Sequence, residues 1–390
     1  MKICCAVCEY NPLHNGHVRH LEAAKRELTP DYTVIIMSGN FTQRGEIAVL
    51  DKFTRAKHAV MAGADAVFEL PAVFATANAE IFAKGAIKLL KELPGEKTLC
   101  FGSESGNETS FLHAAKILSD ESKEFKKLLK SQLNEGVSLA KAKTSALEQL
   151  DLGVDLELLK SPNNILGIEY ARAITELDAD MDIYPVTRSG AGYKDDNLYS
   201  DLSSATAIRK ALKEGKKKSV KHNVPKFVYA DLPEVLPNAD IAAFYSLLVN
   251  DKKQLKGILD CTEGLENRIK SCLKDSYTLD ALKEKVTTKR YTATRINRII
   301  TASLLNISEN FVRKCLKSEL YLNVLAVKEG RENLLAEIRK NCKIPLITRK
   351  NDLKNLKSAA RDCFEKDVLA NDIFNYLANV KTNEYMMLKI

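Results

Sequence analysis

The chain reads as an α/β protein, with a parallel sheet covered by helices in residues 1–213 and a mainly helical, basic second half in residues 214–390. Three observations carry this expectation. Short apolar runs alternate with helical patterns through the first hundred residues, and such alternation gives parallel strands joined by helices. At 390 residues the chain exceeds the ordinary single-domain range. Charge is unevenly divided: residues 1–200 hold 23 Lys and Arg against 28 Asp and Glu, whereas residues 201–390 hold 36 against 23.

The elements follow in order. Ile3 to Cys8 is an apolar run, and Leu21, Ala24 and Leu28 then fall on one helical face. Thr33 to Met37 is β-branched and apolar, so it reads as a second strand. A helix from Phe53 to Ala62, a strand at Ala66 to Leu70, a helix from Ala77 to Leu90 and a strand at Thr98 to Phe101 complete a βαβαβαβ order. Residues 111–150 are helical and highly charged, Leu166 to Leu177 is an amphipathic helix, and Asp182 to Thr187 is the last strand of this half. Beyond Glu214-Gly215, which ends a helix, the β-runs are Leu320 to Val327 and Ile344 to Thr348. A sheet of this kind binds ligands at the carboxyl ends of its strands, where the strand order reverses.

Composition excludes several classes. Hydrophobic residues make up 45% and charged residues 28%, and no apolar run approaches the roughly 18 residues of a membrane span. The N-terminal segment lacks the pattern of a secretory signal, so a cytoplasmic location is expected. Nine scattered cysteines suit reduced thiols. Cys5 and Cys8 form a lone C-x-x-C without a second pair, so no metal site is expected. The net charge of +8 is concentrated in the second half, which fits either a polyanion partner or solvated helical lysines.

The sharpest local feature is Tyr10-Asn11-Pro12-Leu13-His14-Asn15-Gly16-His17, where the first strand hands over to the first helix. Unpaired N–H groups at a helix start carry partial positive charge and bind phosphate. Gly16 lets a nucleotide approach the backbone. Two imidazoles three residues apart can donate hydrogen bonds to phosphate and stabilise charge that grows at the α-phosphorus, although H-x-x-H also occurs as a metal pair. A second phosphate element is Ser203-Ser204-Ala205-Thr206-Ala207-Ile208-Arg209. Its hydroxyls can cap a helix while Arg209, about one turn along, meets the β- and γ-phosphates; a capped surface helix is the plainer alternative.

These two elements resemble the class I nucleotidyltransferase superfamily, whose H-x-G-H motif follows the first strand of a Rossmann-like domain. Further stretches narrow the likeness: Glu9-Tyr10-Asn11-Pro12, Ser38-Gly39-Asn40-Phe41-Thr42-Gln43-Arg44-Gly45, Ala62-Gly63-Ala64-Asp65, Phe101-Gly102-Ser103-Glu104, Ser161-Pro162-Asn163-Asn164-Ile165-Leu166-Gly167 and Arg188-Ser189-Gly190-Ala191-Gly192-Tyr193. Together they resemble the bacterial tRNA(Met) cytidine acetate ligases, strongly over residues 1–213 and only in general character beyond. The resemblance implies a catalytic nucleotidyltransferase-like domain over 1–213 and a tRNA-binding domain over 214–390. It also implies a two-step reaction, in which acetate attacks ATP to give acetyl-adenylate and N4 of the wobble cytidine in elongator methionine tRNA is then acetylated.

The residue roles expected on this basis are these. His14, His17 and Arg209 are catalytic. ATP is contacted by the segment Val7, Cys8, Glu9, Tyr10, Asn11, Pro12, Leu13, His14, Asn15, Gly16, His17, Val18, Arg19 and His20, by positions matching Gly102, Asn163 and Arg188, and by Ser203 and Thr206. Asn163 carries an amide suited to the adenine edge, or serves only as part of a capping turn. Acetate offers little to grip, so a carboxylate contact from Arg44 with Gln43, Asn40 and Ser38 in the same polar loop is expected, the plainer alternative being that Asn40 and Gln43 only shape the loop and Arg44 faces solvent. Mg²⁺ is expected to accompany ATP, held largely by phosphates and water.

The tRNA candidates are Lys216, Lys217 and Lys218 with Lys221, and Lys289-Arg290-Tyr291 with Arg295 and Arg298, which combine cations with an aromatic able to stack. No protein partner is inferred. Two rivals stay open at the level of sequence: a small-molecule adenylyltransferase, and a nucleotide- and RNA-binding protein without catalysis.

Overall fold

The computed structural model describes residues 1–104, 107–137, 139–187 and 203–390. The first half runs β1 (Lys2–Cys8), α1 (Asn15–Leu28), β2 (Tyr32–Ser38), α2 (Lys52–Met61), β3 (Ala66–Leu70), α3 (Ala72–Ala75), α4 (Ala79–Leu90), β4 (Glu96–Ser103), α5 (Glu108–Ser119), α6 (Lys123–Asn134), α7 (Leu139–Leu150), α8 (Pro162–Glu176), β5 (Asp182–Thr187) and α9 (Ala205–Lys213). The second half runs α10 (Lys226–Asp231), α11 (Asp240–Val249), α12 (Lys252–Gly257), α13 (Leu265–Leu273), α14 (Leu279–Val286), α15 (Ala293–Leu304), α16 (Glu309–Lys317), β6 (Leu322–Val327), α17 (Glu332–Asn341), β7 (Leu346–Ile347), α18 (Ser358–Ala378) and β8 (Leu388–Lys389).

The alternation expected in the first half is present, with strand order β5-β4-β1-β2-β3 and every pair parallel. β1 lies in the middle. The chain leaves it toward β2 and β3, then crosses back to β4 and β5, so the order reverses between β1 and β4. That reversal opens a crevice at the carboxyl ends of these two strands. Helix boundaries follow local chemistry: Asp51 caps α2 by accepting from Phe53 N and Thr54 N, and Ser161 caps α8 with Pro162 in its first turn. The long charged stretch after residue 107 divides into α5, α6 and α7 rather than one helix.

The sheet does not stop at the first half. β6 pairs antiparallel with β3, through Ala66↔Val327 and Val67↔Ala326. β7 pairs with the start of β6 and β8 with its end, both parallel to it. The sheet is therefore mixed at this edge and takes strands from both halves of the sequence. The cause is apolar surface: all five residues of β3 and all six of β6 are buried, so neither tolerates an open edge in water. The rest of the second half is helical, as its sequence suggests.

Core residues line both faces. One side gathers Ile3, Val34, Ile36 and Phe68 under α4, α8 and the second-half helices; the other gathers Ala6, Ile35, Met37 and Val67 under α2, α9 and α10. Strand alternation sends neighbours in β2 to opposite sides. Among the described residues no helix is long and apolar enough to cross a membrane.

Candidate active site

β1 ends at Cys8, and the chain turns through Glu9–Leu13 into α1. Tyr10 takes a left-handed backbone conformation at φ 45°, and the Asn11–Pro12 peptide is cis. Asn11 is buried and its Oδ1 accepts from Val49 N at 2.7 Å, which ties the turn to the segment before α2. Arg55, wholly buried on α2, donates to the carbonyls of Glu9, Ser38, Gly39 and Leu50. One guanidinium thus satisfies carbonyls at the ends of both β1 and β2, where the strands diverge and cannot satisfy each other.

His14 is the N-cap of α1. Its Nδ1 accepts from Gly16 N at 3.1 Å, and His17 Nδ1 accepts from His14 N at 3.3 Å, a reciprocal capping box made by two imidazoles. The rings stack with centroids 3.7 Å apart, and the Tyr10 ring centroid lies 4.9 Å from that of His17, tilted to it. Because each Nδ1 accepts a backbone N–H, the neutral ring carries its proton on Nε2. The first turn of α1 has no acidic residue to offset the helix dipole, whereas Lys25 and Arg26 occupy its last turn.

A second helix start faces the first. Ser204 caps α9 by accepting from Ala207 N at 3.0 Å, and the first turn of α9 also lacks acid. Arg209 donates from one terminal nitrogen to Asn11 O at 2.9 Å, and the other lies 3.3 Å from Glu46 Oε2. Asn223 bridges the two helix starts: its carbonyl accepts from Asn15 N at 3.0 Å and its Nδ2 donates to Ser203 Oγ at 3.0 Å. Asn15 Nδ2 donates to His222 O at 2.8 Å.

Between these helix starts and the end of β4 lies a cavity of about 560 Å³, within the range of sites that take a nucleotide-sized ligand. Of the residues expected at ATP, Val7, Cys8, Glu9, Tyr10, Asn11, His14, Gly16, His17, Arg19, His20, Gly102, Asn163, Ser203 and Thr206 line it, as does Arg209. Pro12, Leu13, Asn15 and Val18 do not: Leu13 is fully buried in the core and Val18 packs on the same apolar cluster. Arg188, with the Arg188–Tyr193 stretch, lies outside the described residues. Burial pushes the Glu9 carboxyl above the ordinary range, opposed by a hydrogen bond from Gln43 N and by Arg209 and Arg44.

The loop expected at acetate is divided. Gln43 and Arg44 line the cavity, but Ser38 and Asn40 lie beneath the loop and shape it. Asn40 accepts from Lys52 N at 2.7 Å and donates to Asn371 Oδ1 on α18 at 2.9 Å. Among the expected tRNA residues, Lys216 is exposed and bonded to Glu214, Lys217 is half-buried against Leu232 O and Glu234, and Lys218, Lys221, Lys289 and Arg290 are exposed. Arg295 and Arg298 share a face of α15, but that face meets an acidic loop. Arg295 bonds Asp260 O, Thr262 and Glu263, and Arg298 bonds Asp260 at 2.8 Å. Tyr291 sits between Arg290 and Arg295, each 5.7 Å from its ring centre.

Sequence reading gave no role to Asn223, Glu46 or Arg55, and quoted Glu104 without one. Each acts through a partner remote in sequence, so no local spacing marks it. Among the described residues no cluster of three or more metal-ligating side chains occurs.

Comparison with known proteins gives a consistent result. The family described as HIGH Nucleotidyl Transferase matches residues 1–387. A tRNA(Met) cytidine acetate ligase from Clostridium botulinum, strain Langeland, is 35% identical over 98% of this chain and 97% of its own. The crystal structure of apo Thermotoga maritima TmcAL superposes with a TM-score of 0.93 at 30% identity, covering both chains fully. The same Thermotoga protein bound with alpha-thio ATP superposes with a TM-score of 0.91. With its paired helix starts, its histidine capping box and likeness along its whole length, the chain belongs to the HIGH nucleotidyltransferase family and, within it, to the tRNA(Met) cytidine acetate ligases.

Proposed function

We propose that this protein is an ATP-dependent ligase that activates acetate as acetyl-adenylate and acetylates N4 of the wobble cytidine of elongator methionine tRNA. The observation that carries the reading is the convergence of two acid-free helix starts, His14 and His17 on one and Ser204 and Arg209 on the other, upon one cavity whose rim carries Gln43 and Arg44.

Residues Val7 to His20, Gly102, Asn163, Arg188, Ser203 and Thr206 serve ATP in this reading, either by contact or, for Pro12, Leu13, Asn15 and Val18, by shaping the turn. Imidazole Nε2–H groups of His14 and His17 donate to the triphosphate and take up charge as the α-phosphorus is displaced. Arg209 exchanges Glu46 for the departing pyrophosphate. Arg44 and Gln43 hold the acetate carboxylate in line with the α-phosphorus, while Ser38 and Asn40 support the loop from beneath. Acetate oxygen bonds phosphorus as the bond to pyrophosphate breaks. In the second step the cytidine amine attacks the acetyl carbon and AMP leaves with the bridging oxygen. Mg²⁺ would enter with the nucleotide and neutralise phosphate charge.

The division of labour falls near residue 213, with tRNA held by the second half. Lys216, Lys217, Lys218, Lys289 and Arg290 supply cations for the RNA backbone. Arg295 and Arg298 act there by ordering the loop at 260–263 and the Tyr291 platform. A cytoplasmic location fits a tRNA substrate. The test is exchange of labelled pyrophosphate into ATP by the purified chain with and without acetate. Exchange that requires acetate, with acetyl label passing to methionine tRNA, is expected. Exchange that needs no acetate, or that needs another small molecule, would mark an adenylyltransferase instead.

A further inference from the structure

We propose that Glu104 sets the base specificity of the cavity by fixing the orientation of the Asn163 amide, so that the site accepts adenine and rejects guanine. This rests on the reading of Asn163 as a nucleotide contact. β4 ends at Ser103, and Glu104 follows at its carboxyl end, beside the start of α8. Asn163 Nδ2 donates to Glu104 Oε1 at 2.9 Å, and Ser161 Oγ donates to Glu104 Oε2 at 2.5 Å.

The carboxylate is itself held in place. Ser161 is the N-cap of α8 and accepts from Asn164 N at 3.4 Å. Asn164 Oδ1 accepts from Ser103 Oγ at 2.9 Å and from Glu104 N at 3.1 Å, joining the strand end to the helix start. A negative group here also suits the helix dipole.

The consequence for Asn163 follows from donor and acceptor counting. An ionised carboxylate only accepts, so the amide must turn its NH₂ toward Glu104 and its Oδ1 away from it. Asn163 lines the cavity with Gly102, and its Oδ1 takes no hydrogen bond from a described residue. An oxygen fixed in that position accepts from the 6-amino group of adenine. Guanine carries a carbonyl there, and two acceptors would face each other. Without Glu104 the amide can rotate by half a turn and serve either base, so the carboxylate and not the amide alone makes the choice.

The experiment compares ATP and GTP in acetate-dependent pyrophosphate exchange by the full-length chain, with GTP read as a competitive inhibitor where its turnover is undetectable. Wild type favours ATP by about 100-fold or more, the order expected when a site built around one hydrogen bond meets a mismatched group. Glu104→Ala lowers the ATP-to-GTP ratio about tenfold, mainly by improving KM or the inhibition constant for GTP, since the freed amide still serves adenine. Glu104→Gln lowers the ratio as well, because its side-chain amide can either accept from Asn163 or donate to it and no longer forces one orientation. Glu104→Lys, which only donates, takes Asn163 Oδ1 and moves the ratio furthest toward GTP. Loss of both nucleotides in equal proportion in the Ala and Lys variants, with unchanged melting temperatures, would overturn the proposal. Asn163→Ala separates the two layers. An unchanged KM for ATP in that variant refutes the nucleotide contact itself, whereas a raised KM combined with an unaltered ratio in the Glu104 variants refutes only the orienting role.

Discussion

In the proposed reading His14 and His17 do two jobs with different nitrogens, and the jobs can be separated. The Nδ1 atoms close the capping box of α1, while the proposed phosphate chemistry falls to the Nε2–H groups. His14→Asn keeps a side-chain acceptor for Gly16 N, and asparagine is among the best N-caps. Its melting temperature is therefore expected to stay close to wild type, while exchange falls by about 100-fold or more, the usual cost of removing one donor to a developing charge. Equal loss of stability and exchange would mean the ring serves only the cap. Glu46 offers a second test, because it pairs with Arg209. Glu46→Gln weakens that competitor, so KM for ATP is expected to fall by a few-fold, a modest change because even fully exposed pairs are worth about 0.2–1 kcal/mol and this one is only partly buried. At this scale legibility depends on sequence distance. His14, His17 and the Ser203–Arg209 element are each complete within seven residues and were readable. Asn223, Glu46 and Glu104 have partners brought to them only by folding.

In the proposed reading, acetate recognition depends on the loop between β2 and α2. It is closed by backbone bonds from Thr42 N to Glu46 O, Gly45 N to Thr42 O and Ala48 N to Asn40 O. Thr301 on α15 donates to Gly45 O at 2.9 Å. Gly45 adopts φ +69°, and a Cβ there would lie 2.3 Å from the Asn297 carbonyl carbon in α15. Both backbone sign and space therefore demand glycine. Gly45→Ala should push the loop off α15 and displace Gln43 and Arg44, raising KM for acetate at least tenfold with a smaller effect on KM for ATP. Steady-state exchange at varied acetate and ATP checks this, and equal changes in the two constants would contradict it. The sequence marks the loop as polar and glycine-bounded, which suffices to place it at the binding edge. It does not reveal that the loop rests on a helix about 250 residues away, nor that Ser38 and Asn40 are turned inward.

The whole molecule is held together where β6 enters the sheet and where α18 and the C-terminal segment cover a buried charged cluster. Lys52 Nζ lies 2.7 Å from both oxygens of Glu69 and 2.5 Å from Glu384 Oε1, with Asn323 of β6 also bonded to Glu69. Asp367 of α18 accepts from Ala72 N and from Tyr321. Burial opposes the Lys52 charge, yet Glu384, Glu69 and Asp367 together hold its pKa above the usual lysine range. Removing it by Lys52→Met strands several carboxylates and is expected to cost about 3–5 kcal/mol, measured by urea unfolding. Burial, with Glu69 nearby, pushes Asp367 up from 3.8 to about 7. Between these values the folded state holds a proton that the unfolded state has released. Stability from this group is therefore complete below about pH 4 and declines as pH rises toward 7. Asp367→Asn should flatten that decline. An unchanged slope would show that another group titrates. The strand character of β6 was legible from its apolar run, but its partner was not, since periodicity defines a strand and not its neighbour.

The central claim is that acetate attacks the α-phosphorus inside the cavity between α1 and α9. Acetate labelled with ¹⁸O in both oxygens tests it directly, because the oxygen that bonds phosphorus in the first step stays on phosphorus when the cytidine amine takes the acetyl group. Mass spectrometry of the AMP formed alongside acetylated methionine tRNA should find one ¹⁸O per AMP. AMP without label, or acetylated tRNA formed with release of ADP, would contradict the account.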